Sequence, residues 1–161
     1  MRLYFLRHAI AEDHVDNSMS DFSRALTTKG EKRTQDAARV LKALDLKLTR
    51  LYSSPLVRAQ QTAAIVSESL GVAVTERDEV GPGFGLEAVV ELIRDFSDDA
   101  AIMFVGHEPD FSATVSRIIG GGDLYIKKGS LARVDVLTRE PLHGTLVWLI
   151  PAKVFSTLNL E

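Results

Sequence analysis

Apolar residues recur along this chain with two spacings, and the two alternate. Short runs at 3–6, 50–53, 72–75 and 100–105 have the length of strands, and Tyr4 and Phe5 give the first of them β-favouring side chains. The run at 100–105 is apolar without a break, which predicts a strand covered on both faces. Between the runs, apolar side chains return every three or four positions, the stripe of a core-facing helix. Ala37, Val40, Leu41 and Leu44 form one stripe, Ala59, Ala63, Val66 and Leu70 a second, and Leu86, Val89, Val90 and Ile93 a third. Residues 109–119 read as a further helix, and 131–137 with 145–150 as a closing pair of strands.

The polar punctuation agrees with these elements. Residues 12–24 are a polar loop. Thr28-Lys29-Gly30-Glu31 fits a capping box, with Thr28 as N-cap and Glu31 returning to it. Ser54-Pro55 predicts another helix start, serine as the cap and proline in the first helical position. Gly71 closes that helix, and Gly81-Pro82-Gly83 marks a loop. Strand and helix in alternation predict an α/β fold: a three-layer α/β/α sandwich with a mostly parallel sheet and helices on both faces. No repeat, low-complexity tract or linker divides the chain, so residues 1–161 are expected to form a single domain.

Composition narrows the function classes. The chain has 161 residues, enough for one core that buries roughly 70% of the unfolded surface. With 45% hydrophobic and 25% charged residues, it is not an extended disordered polymer. The absence of cysteine excludes disulfides and thiolate chemistry. No apolar run approaches the roughly 18 residues of a membrane span, and the opening residues are too short a stretch for a signal peptide, so a cytoplasmic protein is expected. A net charge of −3 makes no electrostatic case for nucleic acid. The sequence leaves the oligomeric state open.

Open α/β sheets bind ligands outside the carboxyl ends of their strands. Arg7 and His8 stand at that end of the first predicted strand, and Gly106 and His107 at the same end of the strand finishing at Val105. Arg58 falls in the first turn of the helix after the second strand, where a cation opposes the helix dipole unless an anion binds beside it. A solvated surface arginine is the alternative there. His14 and His143 carry no supporting pattern and read as surface residues. A zinc site would rival this reading of His8 and His107, but the chain lacks HExxH, cysteine and an evident third ligand, so no metal is expected.

These residues lie in recognisable motifs. Leu6-Arg7-His8-Ala9 resembles the strand-end signature of the histidine phosphatase superfamily, the phosphoglycerate-mutase-like fold. Ser53 to Ala63, with Arg58-Ala59 and Gln61-Thr62-Ala63 in register, resembles its second signature, S-x-x-x-R-A-x-Q-T-A. Val105-Gly106-His107-Glu108-Pro109 resembles its third, and Arg24-Ala25-Leu26-Thr27-Thr28-Lys29-Gly30 a loop pattern seen in the family. The likeness runs from residue 1 to about residue 120. Within the superfamily, the small size and the Arg-His-Ala opening are most similar to the SixA-type protein-phosphohistidine phosphatases.

The resemblance implies a mechanism without cofactor. His8 would be the nucleophile and carry a phosphohistidine intermediate, while Arg7, Arg58 and His107 would bind the phosphoryl oxygens. Arg24 would reach in from the first loop, or else serve as a loop residue salt-bridged to Asp21 or Glu31. Ser53, Ser54 and Gln61 read as structural. Family members that cleave esters carry a general acid after the third strand. Glu79 is the candidate here, with a solvated loop carboxylate as the alternative. The expected partner is a phosphorylated protein, its phosphohistidine as substrate. A small phosphoester on the same scaffold, or a non-catalytic phosphate-binding module, are the alternatives.

Overall fold

The computed structural model describes residues 1–13 and 20–158, and His14 lies outside them. A six-stranded sheet runs through the middle: β1 (Arg2–Arg7), β2 (Arg50–Ser53), β3 (Val74–Glu76), β4 (Ala101–Gly106), β5 (Leu131–Arg139) and β6 (Leu142–Ile150). The spatial order is β3-β2-β4-β1-β5-β6. The first four of these run parallel, and one side is closed by β5, antiparallel to β1, and β6, antiparallel to β5.

Strand alternation sorts the core into two layers, since successive side chains point to opposite faces. Leu3, Phe5, Tyr52, Ile102 and Phe104 face α3 (Leu86–Ile93) and α4 (Asp110–Ile118), which bury Val89, Ile93, Phe111, Val115 and Ile118 against them. Tyr4, Leu6, Leu51, Met103 and Val105 face α1 (Thr28–Ala43) and α2 (Val57–Leu70), with Phe155 of α5 (Ala152–Thr157) on the same side. Every residue of β4 is buried, as its unbroken apolar run requires. The sandwich with helices on both faces is the architecture expected from the sequence. Among the described residues, no helix is long and apolar enough to cross a membrane.

Local chemistry shifts several boundaries. The cap of α1 is Thr27, not Thr28: its hydroxyl accepts the Gly30 N–H at 3.0 Å. The reason is the tie between Thr27 and Ile10, whose carbonyl accepts the Thr27 N–H and so fixes where the chain turns into the helix. The stripe of α1 ends at Leu41, because the helix stops at Ala43 and leaves Leu44 60% exposed. Helix α2 begins at Val57, with Leu56 as its cap. Ser54 instead closes a tight turn by accepting the Leu56 N–H at 3.2 Å. Strand β3 starts at Val74 rather than at residue 72, and Val90 stays on the open side of α3. Helix α5, six residues long, is too short for periodicity to reveal.

The start of α1 bears on the site, because it props up the chain just after His8. Gly30 is buried against Ile10, and a Cβ there would overlap the Ile10 carbonyl oxygen, a backbone atom that cannot swing aside. Gly30→Ala is therefore expected to cost about 1–3 kcal/mol. For a chain of this length, that lowers Tm by about 2–12 °C. A melting curve that matches the unsubstituted protein would show that α1 does not brace residues 9–11.

Candidate active site

The strand register brings the two histidine segments side by side. Arg7 pairs with Gly106 across the parallel β1–β4 ladder, and the next rung is the His8 N–H donating to the Gly106 carbonyl at 2.9 Å. On the other side of β4, the Ser54 N–H donates to the Val105 carbonyl at 3.0 Å. The carboxyl ends of β1, β4 and β2 thus open onto one rim, and the His8 and His107 rings lie 5.1 Å apart there. Gly106 is needed for this closeness: a Cβ would stand 2.7 Å from the Phe111 ring and 3.0 Å from the Val80 carbonyl.

His8 is buried, and its ring nitrogens have distinct partners. Nδ1 lies 2.7 Å from the Ala9 carbonyl, which only accepts, so Nδ1 carries the proton. Nε2 then presents its lone pair, and the Arg58 Nε–H points to it at 3.3 Å. Burial pushes the His8 pKa down to about 3, with His107, Arg58 and Arg7 adding to the effect against the Ala9 hydrogen bond. The ring is neutral at physiological pH, as a nucleophilic imidazole must be.

His107 is held by a second device. Its Nε2 lies 2.7 Å from the Ser54 Oγ. That oxygen already accepts the Leu56 N–H, so its own proton is free to be donated to Nε2. With Ser54 as the donor the His107 proton sits on Nδ1, and in either tautomer Nδ1 is buried without a hydrogen-bond partner among the described residues. An orphaned buried donor beside the His8 ring is a ready contact for an incoming oxygen. Burial again leads in lowering the pKa, here to about 4.

Three arginines surround the pair. Arg7 donates from Nη1 to the Ile126 carbonyl at 3.0 Å and to the Tyr125 hydroxyl at 3.2 Å, while its Nε is buried without a partner among the described residues. Its guanidinium carbon lies 5.6 Å from the centre of the Tyr125 ring, a cation–π contact. Arg58 is 5% exposed and directs its two remaining nitrogens at Asp21: Nη1 to the carbonyl at 2.7 Å and Nη2 to the carboxylate at 3.0 Å. Arg24 grips the other carboxylate oxygen, with Nε at 2.9 Å and Nη2 at 2.7 Å. So Arg24 is indeed salt-bridged to Asp21, and that bridge also joins it to Arg58.

The structure therefore brings Arg7, His8, Arg58 and His107 together, with Arg24 joined through Asp21. It ties Glu79 elsewhere: both carboxylate oxygens bond the exposed Arg77 guanidinium, at 3.1 and 2.5 Å. Those bonds hold Glu79 below the usual carboxylate range, the opposite of what a general acid needs. His143 is exposed, as expected. Ser53 and Gln61 are structural, donating to the Ser54 carbonyl and accepting from the Leu26 N–H. Ser54, read as structural from the sequence, belongs to the site through His107, and so do Asp21 and Tyr125, whose local sequence carries no sign of it. Glu108 works one step back, its Oε1 accepting from Ser112 and from the Ile126 N–H and so pinning the loop that faces Arg7.

The arrangement sets three guanidiniums around two neutral imidazoles, one of which turns its Nε2 lone pair towards Arg58. Among the described residues, no group of three or more His, Asp or Glu stands together as a metal site. Residues 3–81 match the family described as the histidine phosphatase superfamily (branch 1). An uncharacterized protein of Picosynechococcus is 34% identical over 166 residues, covering 94% of this chain and all of the relative. The protein histidine phosphatase SixA, solved in complex with tungstate, superposes with a TM-score of 0.84 at 24% identity, covering 96% of this chain and 99% of that one. A mycobacterial glucosyl-3-phosphoglycerate phosphatase, solved with VO3, gives 0.77 at 17% identity, covering 93% and 99%. The two structural likenesses speak for the fold.

The burial of two neutral imidazoles makes stability depend on pH in a definite direction. Unfolded, both histidines take a proton near 6.5; folded, they resist it until about 3 and about 4. The unfolded chain thus binds more protons below 6.5, and stability is complete above that pH and declines as the pH falls towards 4. The expected loss for the pair is a few kcal/mol. Thermal melts at about pH 7.5 and about pH 5 should show it, with a smaller difference in a His8→Gln/His107→Gln double variant. An equal difference in that variant would assign the acid sensitivity to other groups.

Proposed function

This chain belongs to the histidine phosphatase superfamily, and we propose that residues 1–161 act as one catalytic domain that hydrolyses phosphohistidine in a partner protein. The observation that carries the reading is His8: neutral, its proton held on Nδ1 by the Ala9 carbonyl, its Nε2 lone pair under Arg58. In this reading the phosphoryl group enters above Nε2. Its oxygens take up Arg7, Arg58 and the unpaired Nδ1–H of His107, and Arg58 yields its hold on the nucleophile. Phosphoryl transfer asks mainly for in-line positioning and charge stabilisation, and two guanidiniums and an imidazole donor supply both. Nε2 attacks phosphorus as the bond to the leaving group breaks. Water then attacks the phosphohistidine, and inorganic phosphate leaves with Nε2 free again. No step calls for a metal or organic cofactor.

The leaving group selects between substrates. An imidazole whose distal nitrogen is protonated departs as a neutral ring, and its conjugate acid has a pKa of about 6.5. An alkoxide resembles hydroxide, whose conjugate acid is near 15.7, and needs a proton donor as it departs. Glu79, the candidate donor, is instead held ionised by Arg77. This supports the phosphohistidine substrate over an ester. A small phosphoester is the second reading, since the same fold carries a glucosyl-3-phosphoglycerate phosphatase.

The test is dephosphorylation in excess chelator, comparing a histidine-phosphorylated protein with a panel of small phosphoesters. The phosphoprotein should be preferred, and His8→Ala should abolish turnover with the melting curve preserved. Preference for an ester would move the reading to a metabolite phosphatase, and full turnover by His8→Ala would sink the mechanism. Arg58→Ala should lower kcat/KM by about 10²–10³-fold, the scale for one lost charge-stabilising donor. Unchanged kinetics would remove Arg58 from the phosphoryl site.

A further inference from the structure

Arg58 and Asp21 form an unequal pair. The Arg58 side chain is 6% exposed, whereas that of Asp21 is 51% exposed and belongs to the loop that follows β1. The Asp21 carboxylate bridges two guanidiniums, Oδ2 to Arg58 at 3.0 Å and Oδ1 to Arg24 at 2.7 Å. An oxyanion held between paired guanidinium edges is also how such edges bind phosphoryl oxygens. The two anions would meet at one place, because the Nε of this same Arg58 lies 3.3 Å from the His8 Nε2, the atom that would attack phosphorus. A phosphoryl group on Nε2 has its oxygens within reach of the Arg58 fork. Carboxylate and phosphoryl oxygen then compete for Nη2.

We propose that Asp21 is the resident counter-anion of the phosphoryl site, a positioning residue that holds Arg58 and Arg24 while the site is empty and yields to the phosphoryl group. The inference rests on the reading of Arg58 as a phosphoryl ligand. Two features make the exchange workable. Asp21 is half exposed, so its carboxylate returns to water at little desolvation cost. Arg58 keeps an anchor that does not depend on the carboxylate, its Nη1 donating to the Asp21 backbone carbonyl at 2.7 Å. Burial works to raise the Asp21 pKa, but the hydrogen bonds from Arg58 and Arg24 outweigh it and hold it at about 2, so the carboxylate competes as an anion throughout the neutral range.

The exchange has two consequences. A singly charged anion gains little by replacing a carboxylate that is already placed. A phosphoryl dianion carries twice the charge and engages Arg7 and His107 as well, so it wins. After hydrolysis, the same competition helps inorganic phosphate out. Asp21 thereby sets which anions enter and how fast the product leaves.

The test is titration calorimetry with inorganic phosphate on the wild type, Asp21→Asn, Asp21→Ala and Asp21→Glu, with product inhibition by phosphate measured alongside. Asn and Ala should bind phosphate about tenfold more tightly, the scale of one unit charge removed at short range near a protein surface. Product inhibition should strengthen in parallel, with KM falling, and Glu should return the affinity towards wild type. If Asp21 only braces Arg58, Asn and Ala weaken phosphate binding instead, and equal or weaker binding in both overturns the proposal. An Arg58→Ala control that binds phosphate as well as wild type would overturn the placement of the phosphoryl site itself, a failure distinct from that of the Asp21 variants.

Discussion

A histidine that attacks phosphorus must be neutral, yet the group it attacks is an anion that needs cations around it. In the proposed reaction both demands fall on His8. The cations themselves help: Arg7 and Arg58 stand near the ring and disfavour its protonated form, in addition to burial. The Ala9 carbonyl settles which nitrogen keeps the proton, which leaves Nε2 on the open side with its lone pair towards Arg58. A solvated histidine at the same point would be partly protonated and free to turn. Here burial and the neighbouring cations keep the His8 ring neutral, and the Ala9 carbonyl fixes its direction.

The fold makes that fixation cheap in structural terms. Parallel strands deliver successive segments to the same rim of a sheet, and the β2-β4-β1 order puts three such segments next to one another. Each contributes its first residues beyond the ladder: Ser54 from one, His107 from the next, His8 from the third. Gly106 removes the side chain that would push Phe111 and the second segment away. The antiparallel β5 supplies the remaining wall, because the loop before it folds back so that the Gly129 N–H meets the Arg7 and His8 carbonyls and the Ser130 carbonyl accepts from the Arg7 N–H. The reactive residues sit in loops, but their backbones are held almost as firmly as those of the strands.

Legibility in the sequence tracks the range of the interactions. Alternating spacings disclose the sandwich, because burial on each face is written into every strand and stripe. The rim position of Arg7, His8 and His107 follows from their place just past apolar runs, and Arg58 from its place in a first turn. What escapes is side-chain pairing across long separations. Asp21 meets Arg58 across 37 residues, Ser54 meets His107 across 53, and Tyr125 meets Arg7 across 118, with no local pattern at either end. Short-range chemistry misleads for a related reason. Thr28 and Glu31 satisfy a capping pattern, but the bond from the Thr27 N–H to the Ile10 carbonyl, a tertiary contact, places the cap one residue earlier. Glu79 looks like an available acid until Arg77, two residues away, claims both oxygens.

Charge at the rim poses a last problem, that of turnover. The chain as a whole carries −3, yet Arg7, Arg24 and Arg58 gather three positive charges around two neutral rings. In the empty site the Asp21 carboxylate lowers the three to two, and when it yields the phosphoryl dianion takes its place. Inorganic phosphate at neutral pH carries nearly the same charge as the phosphoryl group it came from, so a pocket tuned only for affinity would hold substrate and product alike. Product held as tightly as substrate makes its release the slow step. A site of this kind needs an anion of its own that is weaker than the substrate and always at hand, and a half-exposed carboxylate fixed between two of the three arginines meets both conditions.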